Sequence, residues 1–368
     1  MKTDYKLKFI LLFMVATLLG LSACDQSQKM EQQNTENKKE SGLQTADQLL
    51  EGYSAAVCYS GFRTGQHPDR GAGAVNPSYE EIYEDLQLLT TKTPFRLIRL
   101  YDCEENSQMV LEVIRQYGLN IKVMQGIWLR AELSAHETCE WLTEPIPQQV
   151  LDENKVKNTA EIAKGIELAN SYKDIIVAVN VGNEALVEWN DHMVDTDTII
   201  TYVKRVQESI EQPVTVADNY KWWADHGKEL ADAVDFVSIH VYPIWENKDI
   251  DEAMAYSIEN VLEVMQALPG VPIVISEAGW ATTASEFGER ASEAKQTTYS
   301  EALLQWANRN NITTFIFEAF DEDWKGNPND PLGAEKHWGV FKVDRTPKQV
   351  VSLLESMIEK PKNTNSNE

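Results

Sequence analysis

Between positions 54 and 324 the chain passes eight times through a short apolar segment rich in β-branched residues, and the stretches between these segments include amphipathic helices. The segments are SAAVCYSGF (54–62), FRLIRLYD (95–102), NIKVMQGIWL (120–129), IIVAVNVGNE (175–184), PVTVADNY (213–220), VDFVSIHVYP (234–243), VPIVISEAGW (271–280) and ITTFIFEAFDEDW (312–324). Near-continuous apolar runs of this kind are buried on both faces, as in a parallel sheet covered by helices. Helical signals fill the gaps. PSYEEIYEDLQLL has Ser78 and Glu81 at capping-box spacing, and SQMVLEVIRQYG and KQTTYSEALLQWANRNN repeat apolar residues at helical intervals. Eight βα units in about 300 residues predict an α/β fold, a single (β/α)8 TIM barrel, with a doubly wound open sheet as the competing architecture.

The 368 residues divide unevenly around that region. Lys2, Lys6 and Lys8 precede the apolar run Phe9–Ala23, which has the charge and length of an export signal and is short for a membrane span. The run closes on LSAC, which resembles a lipoprotein box. Residues 1–23 are therefore expected to be a lipoprotein signal peptide, and Cys24 the lipidated first residue of the mature chain, tethering it to a membrane of the cell envelope. Residues 24–50 read as a polar flexible stalk, 51–358 as the barrel and 359–368 as a disordered tail. Losing residues 1–23 removes three lysines and one aspartate, which takes the formal charge from −25 to −27. Such a surface repels nucleic acid and suits a soluble monomer with a neutral or cationic ligand. Without Cys24, three cysteines remain. That odd number argues against a disulfide framework and leaves open one link, Cys58 to Cys103, if their strands are neighbours.

In a barrel of this type the chemistry sits at the C-terminal ends of the strands. Polar residues gather there in this sequence: Arg99, Tyr101 and Asp102; Asn183 and Glu184; His240 and Tyr242; Glu277 and Trp280; Glu318, Asp321, Glu322 and Asp323. Of ten tryptophans, Trp128, Trp189, Trp222, Trp223, Trp245, Trp280, Trp324 and Trp338 fall at strand ends or just after them. Indoles on one rim offer flat apolar platforms with a hydrogen-bond donor, a match for pyranose rings. The expected ligand is a sugar.

Hydrolysis of a glycosidic bond requires two carboxyl groups facing each other across the anomeric carbon. Glu184 and Glu277 end the fourth and seventh strands, nearly opposite across the mouth, and are expected about 5 Å apart, the spacing of a retaining pair. VNVGNEAL followed by VPIVISEAGWAT, with VCYSGFRTGQHP, FRLIRLYD, FEAFDEDWK and KHWGVFKVDRTPK around them, resembles glycoside hydrolase family 17, the β-1,3-glucanases, from about Val57 to Pro347. The resemblance implies Glu184 as acid/base, Glu277 as nucleophile and Asn183 as the donor to the sugar 2-hydroxyl. It places Arg99 and Tyr242 near the nucleophile, and Glu322 and Lys325 as a charged pair after the eighth strand. Tyr59, Tyr101 and Trp280 complete the expected substrate-binding or supporting set. Two departures stand out: Ala281 follows SEAGW, and the loop from Arg130 to Gln149 has no counterpart in the family pattern. Physically, Arg99 and the Tyr242 hydroxyl favour ionised Glu277, and the resulting anion favours the protonated form of Glu184.

Other signals weigh less. GAGAVN (71–76) lacks the third glycine of a dinucleotide loop and reads as a plain loop. HETC (136–139) offers one possible ligand pair without a second, so neither a metal nor a cofactor is expected. DEDW (321–324) reads as structural or substrate-facing rather than as a calcium site. His67 and His337 default to structural roles, and His240 is the best histidine candidate for substrate contact. The expected activity is retaining hydrolysis of β-1,3-glucan. A glucan transglycosylase and a non-catalytic glucan-binding lipoprotein are the alternatives.

Overall fold

The computed structural model describes residues 53–358. The expected signal peptide, Cys24, the stalk and the tail lie outside the described residues. Eight parallel strands alternate with helices: β1 (Ala55–Cys58), α1 (Tyr79–Lys92), β2 (Leu97–Arg99), α2 (Glu105–Tyr117), β3 (Lys122–Ile127), α3 (Gln148–Ser171), β4 (Ile176–Asn183), α4 (Thr196–Gln207), β5 (Val214–Asn219), α5 (Tyr220–His226), α6 (Lys228–Ala231), β6 (Val237–Val241), α7 (Ile250–Ala267), β7 (Ile273–Ala278), α8 (Glu293–Arg309), β8 (Thr314–Ile316) and α9 (Gln349–Ser356). The sheet closes on itself in sequence order. Val57 of β1 pairs with Ile98 of β2 on one side and Ile316 of β8 on the other, a closure that excludes the open sheet.

Local chemistry sets the element ends. Ser78 accepts from the Glu81 amide at 3.2 Å while the Glu81 carboxylate accepts from the Ser78 amide at 2.8 Å, the reciprocal box expected at the start of α1. α2 stops at Gly118, whose φ of 59° is the left-handed cap that glycine adopts without steric cost. The outer helices bury one face each. In α8 that face is Tyr299, Leu303, Leu304 and Ala307, all buried. Among the described residues no helix is long and apolar enough to cross a membrane.

Residues 130–147, between β3 and α3, form a loop tied down at its start. The Glu132 and Leu133 amides donate to the Met193 carbonyl at 2.9 and 3.0 Å. The buried Glu132 carboxylate accepts from Asn158 at 2.8 Å and from the Tyr202 hydroxyl at 2.6 Å. Cys58, Cys103 and Cys139 are all free and buried, so the open Cys58–Cys103 question is settled against a bond.

Candidate active site

The end of β4 is bent on purpose. Its register against β5 shifts between Asn180 and Asn183, and Gly182, at φ 84°, takes up the turn. Glu184 follows at φ 48°, a left-handed conformation that costs a non-glycine residue free energy and persists only where its surroundings hold it. They do so on both sides: the Glu184 amide donates to the Ala217 carbonyl at 2.9 Å, and Asn190 donates to the Glu184 carbonyl at 3.0 Å. The Glu184 side chain is 27% exposed rather than buried in the strand, so its carboxyl reaches the barrel mouth.

Across the mouth, Glu277 stands in β7, where only 5% of it is exposed. Its Oε1 accepts from Arg99 at 2.6 Å and from the Tyr101 hydroxyl at 2.9 Å, and its Oε2 accepts from the Tyr242 hydroxyl at 2.6 Å. Burial pushes this carboxyl upward. His240, the Arg99 guanidinium and the two phenol hydrogen bonds outweigh burial and leave its pKa below the ordinary glutamate value. Arg99 is itself fully buried, and its second nitrogen donates to the Asn183 side-chain carbonyl at 2.5 Å. One guanidinium therefore orients both the anion and the neighbouring amide.

His240, from β6, lies between the two carboxyl groups. Its Nδ1 is 2.8 Å from Glu184 Oε1, and its Nε2 is 3.5 Å from Glu277 Oε1. A carboxylate oxygen of Glu184, a ring nitrogen of His240 and a carboxylate oxygen of Glu277 all lie within 4.8 Å of one another. The sequence pointed to His240 as a substrate contact. With no exposed surface, it instead links the pair beneath the mouth. The same trio has the donor types of a transition-metal site, but Glu277 is already engaged by Arg99 and two tyrosines.

Behind this pair, Lys325 bridges Glu318 and Glu322 at 2.6 Å each, and Ser60 donates to Glu322 at 2.6 Å. Burial raises Glu318 well above the usual glutamate range. For Glu322 burial also pushes upward, but Lys325 and three hydrogen bonds prevail and hold it low. The Lys325 ammonium sits 4.6 Å from the Phe317 ring centre, and Phe317 meets Tyr242 edge-on at 5.8 Å, so the cluster backs the wall beside the nucleophile. In DEDW, Asp321 is bound by Lys348 at 2.7 Å and by the Gly339 amide at 2.9 Å, a structural assignment.

Arg99, Tyr101, Asn183, Tyr242, Glu184 and Glu277 converge as the sequence predicts, and Glu322 with Lys325 stands behind them. Two residues do not reach the mouth. Tyr59 is buried with its hydroxyl on Asp85 at 3.4 Å. Trp280 is fully buried, donating its indole N–H to the Arg290 carbonyl at 2.9 Å and packing on Tyr299. The tryptophan rim needs the same correction. Trp223 and Trp338 are core residues, while Trp189 and Trp245 are exposed. Position at a strand end does not decide whether an indole points into the mouth or back between helices. Trp338 still contributes indirectly, with its ring 5.3 Å from Tyr242.

Two carboxylates escaped the sequence reading. Asp218, at the end of β5, is fully buried and accepts from the Leu186 amide at 2.9 Å, just past Glu184. Burial and then the nearby Glu184 charge raise its pKa well above the aspartate range. Glu335, in a short 3-10 turn after β8, is half-buried. It is raised chiefly by burial and also by Glu184 and Glu277, against the opposing pull of Lys325, which places it within electrostatic reach of the pair. Asp218 carried the signal of a charged residue at a strand end; Glu335 lies in a loop, where no periodicity marks it.

Comparison with known proteins agrees with this geometry. A putative glucan endo-1,3-β-glucosidase of Aspergillus niger is 27% identical over 302 residues, covering 75% of this chain and 40% of that protein. A glucan 1,3-β-glucosidase of Schizosaccharomyces pombe is 25% identical over 285 residues, covering 73% and 79%. Among solved structures, an endo-laminarinase from Formosa superposes with a TM-score of 0.69 at 25% identity, over 85% of this chain and 92% of that one. A family 17 β-1,3-glucanosyltransferase from Rhizomucor miehei shares the fold, with a TM-score of 0.60 at 23% identity, over 80% and 95%. The chain spans less than half the length of the Aspergillus relative and most of the Schizosaccharomyces one. Residues 56–339 match the BtgE/BtgC glycoside hydrolase domain, and with a barrel and a paired-carboxylate mouth of the family 17 type, the chain belongs to that family of glycoside hydrolases.

Proposed function

We propose that this protein hydrolyses β-1,3-glucan, a laminarin-like polysaccharide or its oligosaccharides, with retention at the anomeric carbon. The observation that carries the reading is the separation of the two carboxyl groups. One oxygen of each carboxyl lies within 4.8 Å of the other, a spacing that fits the roughly 5 Å of a retaining pair rather than the about 6.5–9.5 Å that an inverting enzyme needs for its water. The names of the Aspergillus, Schizosaccharomyces and Formosa proteins support the β-1,3 linkage.

Glu277 attacks the anomeric carbon through Oε2, which has the single Tyr242 bond, while Oε1 stays engaged by Arg99 and Tyr101. Glu184 gives its proton to the departing glycosidic oxygen, and a glycosyl ester forms on Glu277. With the Glu277 charge consumed, Glu184 takes a proton from water, which breaks the ester and restores both groups. Asn183, its carbonyl fixed by Arg99, presents its amide N–H groups to the sugar 2-hydroxyl.

Incubation of purified protein with β-1,3-, β-1,4- and β-1,6-glucans, beside Glu277→Ala, tests the assignment. Cleavage of β-1,3 linkages with retained configuration is expected, with loss of several orders of magnitude in the variant and partial rescue by azide. An inverted product or a fully active variant overturns the mechanism. Product analysis at high oligosaccharide concentration separates hydrolysis from transfer to a sugar hydroxyl.

We also propose that Cys24 is lipidated and holds the enzyme on a membrane of the cell envelope, a reading supported by the basic, apolar and LSAC sequence before it. Radioactive palmitate is expected to label the parent chain. Equal labelling of Cys24→Ala refutes the tether.

A further inference from the structure

The loop at residues 130–147 is heavily anchored and nevertheless leaves a large indole in water. Trp141 is 62% exposed and Trp189, on the loop after β4, is 47% exposed. The two loops are joined, since the Thr138 hydroxyl donates to the Glu188 carbonyl at 2.6 Å. From the catalytic strand outward the contacts are continuous. His192 Nε2 is 2.8 Å from the Asn183 carbonyl, and its ring lies against Trp128 with centres 4.6 Å apart. His192 Nδ1 is 3.1 Å from Asp191. His192, and after it the Trp141 indole N–H, hold the Asp191 carboxyl below the ordinary aspartate range against burial. Contacts thus run from the residue beside Glu184 through His192 to Asp191, and the Thr138–Glu188 bond ties the Trp141 loop to the same wall.

Resting on the glycan-hydrolase reading above, we propose that Trp141 and Trp189 form a distal sugar-binding platform that holds the β-glucan chain on the leaving-group side of the scissile bond. An acid delivers its proton to the leaving oxygen, so the wall built by the Glu184 loop borders the departing sugars. Indoles stack on the C–H faces of pyranose rings. The occupant is a neutral glycan, because a surface with net charge −25 repels acidic polymers. Tethering of 130–147 through Glu132 keeps the indoles in place before substrate arrives, which lowers the ordering cost of binding.

The test is affinity electrophoresis of the full-length chain in mild detergent, through native gels cast with laminarin, a soluble β-1,4-glucan or a soluble mannan. All samples carry Glu277→Ala, so that no glycan is digested. The parent is expected to be retarded, and addition of Trp141→Ala with Trp189→Ala should weaken the apparent affinity about tenfold. Val156→Ala, at an exposed site on α3, serves as the control for substitution itself, and equal thermal midpoints establish folding. Equal retardation of parent and double variant in every gel, or no retardation of the parent in any, overturns the platform. A dimer seen by light scattering that the double variant dissolves would assign the indoles to a second copy and equally overturn it. Cleavage assays report separately on the reaction. If laminarin is cut while the double variant keeps full retardation, the function stands and the platform falls. If laminarin is not cut but another β-glycan retards only the parent, the platform stands and the linkage assignment falls.

Discussion

Glu277 owes its low pKa to groups from two strands other than its own, His240 and Tyr242 at the end of β6 and Arg99 and Tyr101 at the end of β2. Removing one of them has a directional consequence. Tyr242→Phe deletes a hydrogen bond to the ionised form and so raises the Glu277 pKa. The nucleophile must be ionised, and activity is lost as pH falls through that pKa, so the acid limb of kcat/KM is expected to move to higher pH. Loss of a hydrogen bond to a charged group costs about 1.5–3 kcal/mol, so kcat should drop roughly ten- to a hundredfold. Rate measurements from pH 3 to 8 check both, and an unmoved acid limb would contradict the assignment. The identities of Glu184, Glu277, Asn183, Arg99 and Tyr242 were legible because a charged residue closing an apolar strand has few roles other than chemistry. Of the two roles open to Tyr59 and Trp280, burial removes direct substrate contact, because aromatic side chains serve core and cleft equally well and only packing decides which.

At the scale of elements, the strand ends are shaped by close backbone approach. Gly279 follows β7, and a Cβ there would overlap the Phe317 carbonyl oxygen, a backbone atom that cannot swing aside. Gly279→Ala is expected to cost about 2 kcal/mol and to lower Tm by about 4 °C, measured by calorimetry. The segment after β8 supplies a second case. Lys325 is the shared cation of Glu318 and Glu322, so Lys325→Met leaves two buried carboxyl groups without a counter-charge. Breaking such an arrangement costs about 3–5 kcal/mol. Both folded-state pKa values then lie above their unfolded values, so the variant should be most stable at acid pH and lose stability as pH rises toward 7. Urea midpoints at pH 4.5 and 7 read the difference. Strand and helix positions were legible from periodicity. The 130–147 loop was not, since its order comes from Glu132, Asn158 and Tyr202, which are far apart in sequence.

The whole molecule depends on bringing its two ends together. β1 pairs with β8, and beside that seam the buried Asp85 of α1 accepts from Arg345, 260 residues away, at 2.5 and 2.8 Å, with Arg63 adding a third contact at 3.0 Å. Arg345→Ala leaves Asp85 with one guanidinium partner, and a loss of about 3 kcal/mol is expected in urea unfolding. A change under 1 kcal/mol would show that Arg63 alone suffices. By itself the sequence determined the number and order of the βα units, the polar ends of the strands and the two glutamates. Each of these is written in local periodicity or residue type, which needs no knowledge of neighbours in space. Only the tertiary structure decided that His240 joins the carboxyl groups, that Trp280 turns inward while Trp141 stays in water, and that none of the described cysteines pair. Those outcomes depend on side-chain direction and on distances between residues far apart along the chain, quantities that barrel closure fixes and residue spacing does not contain.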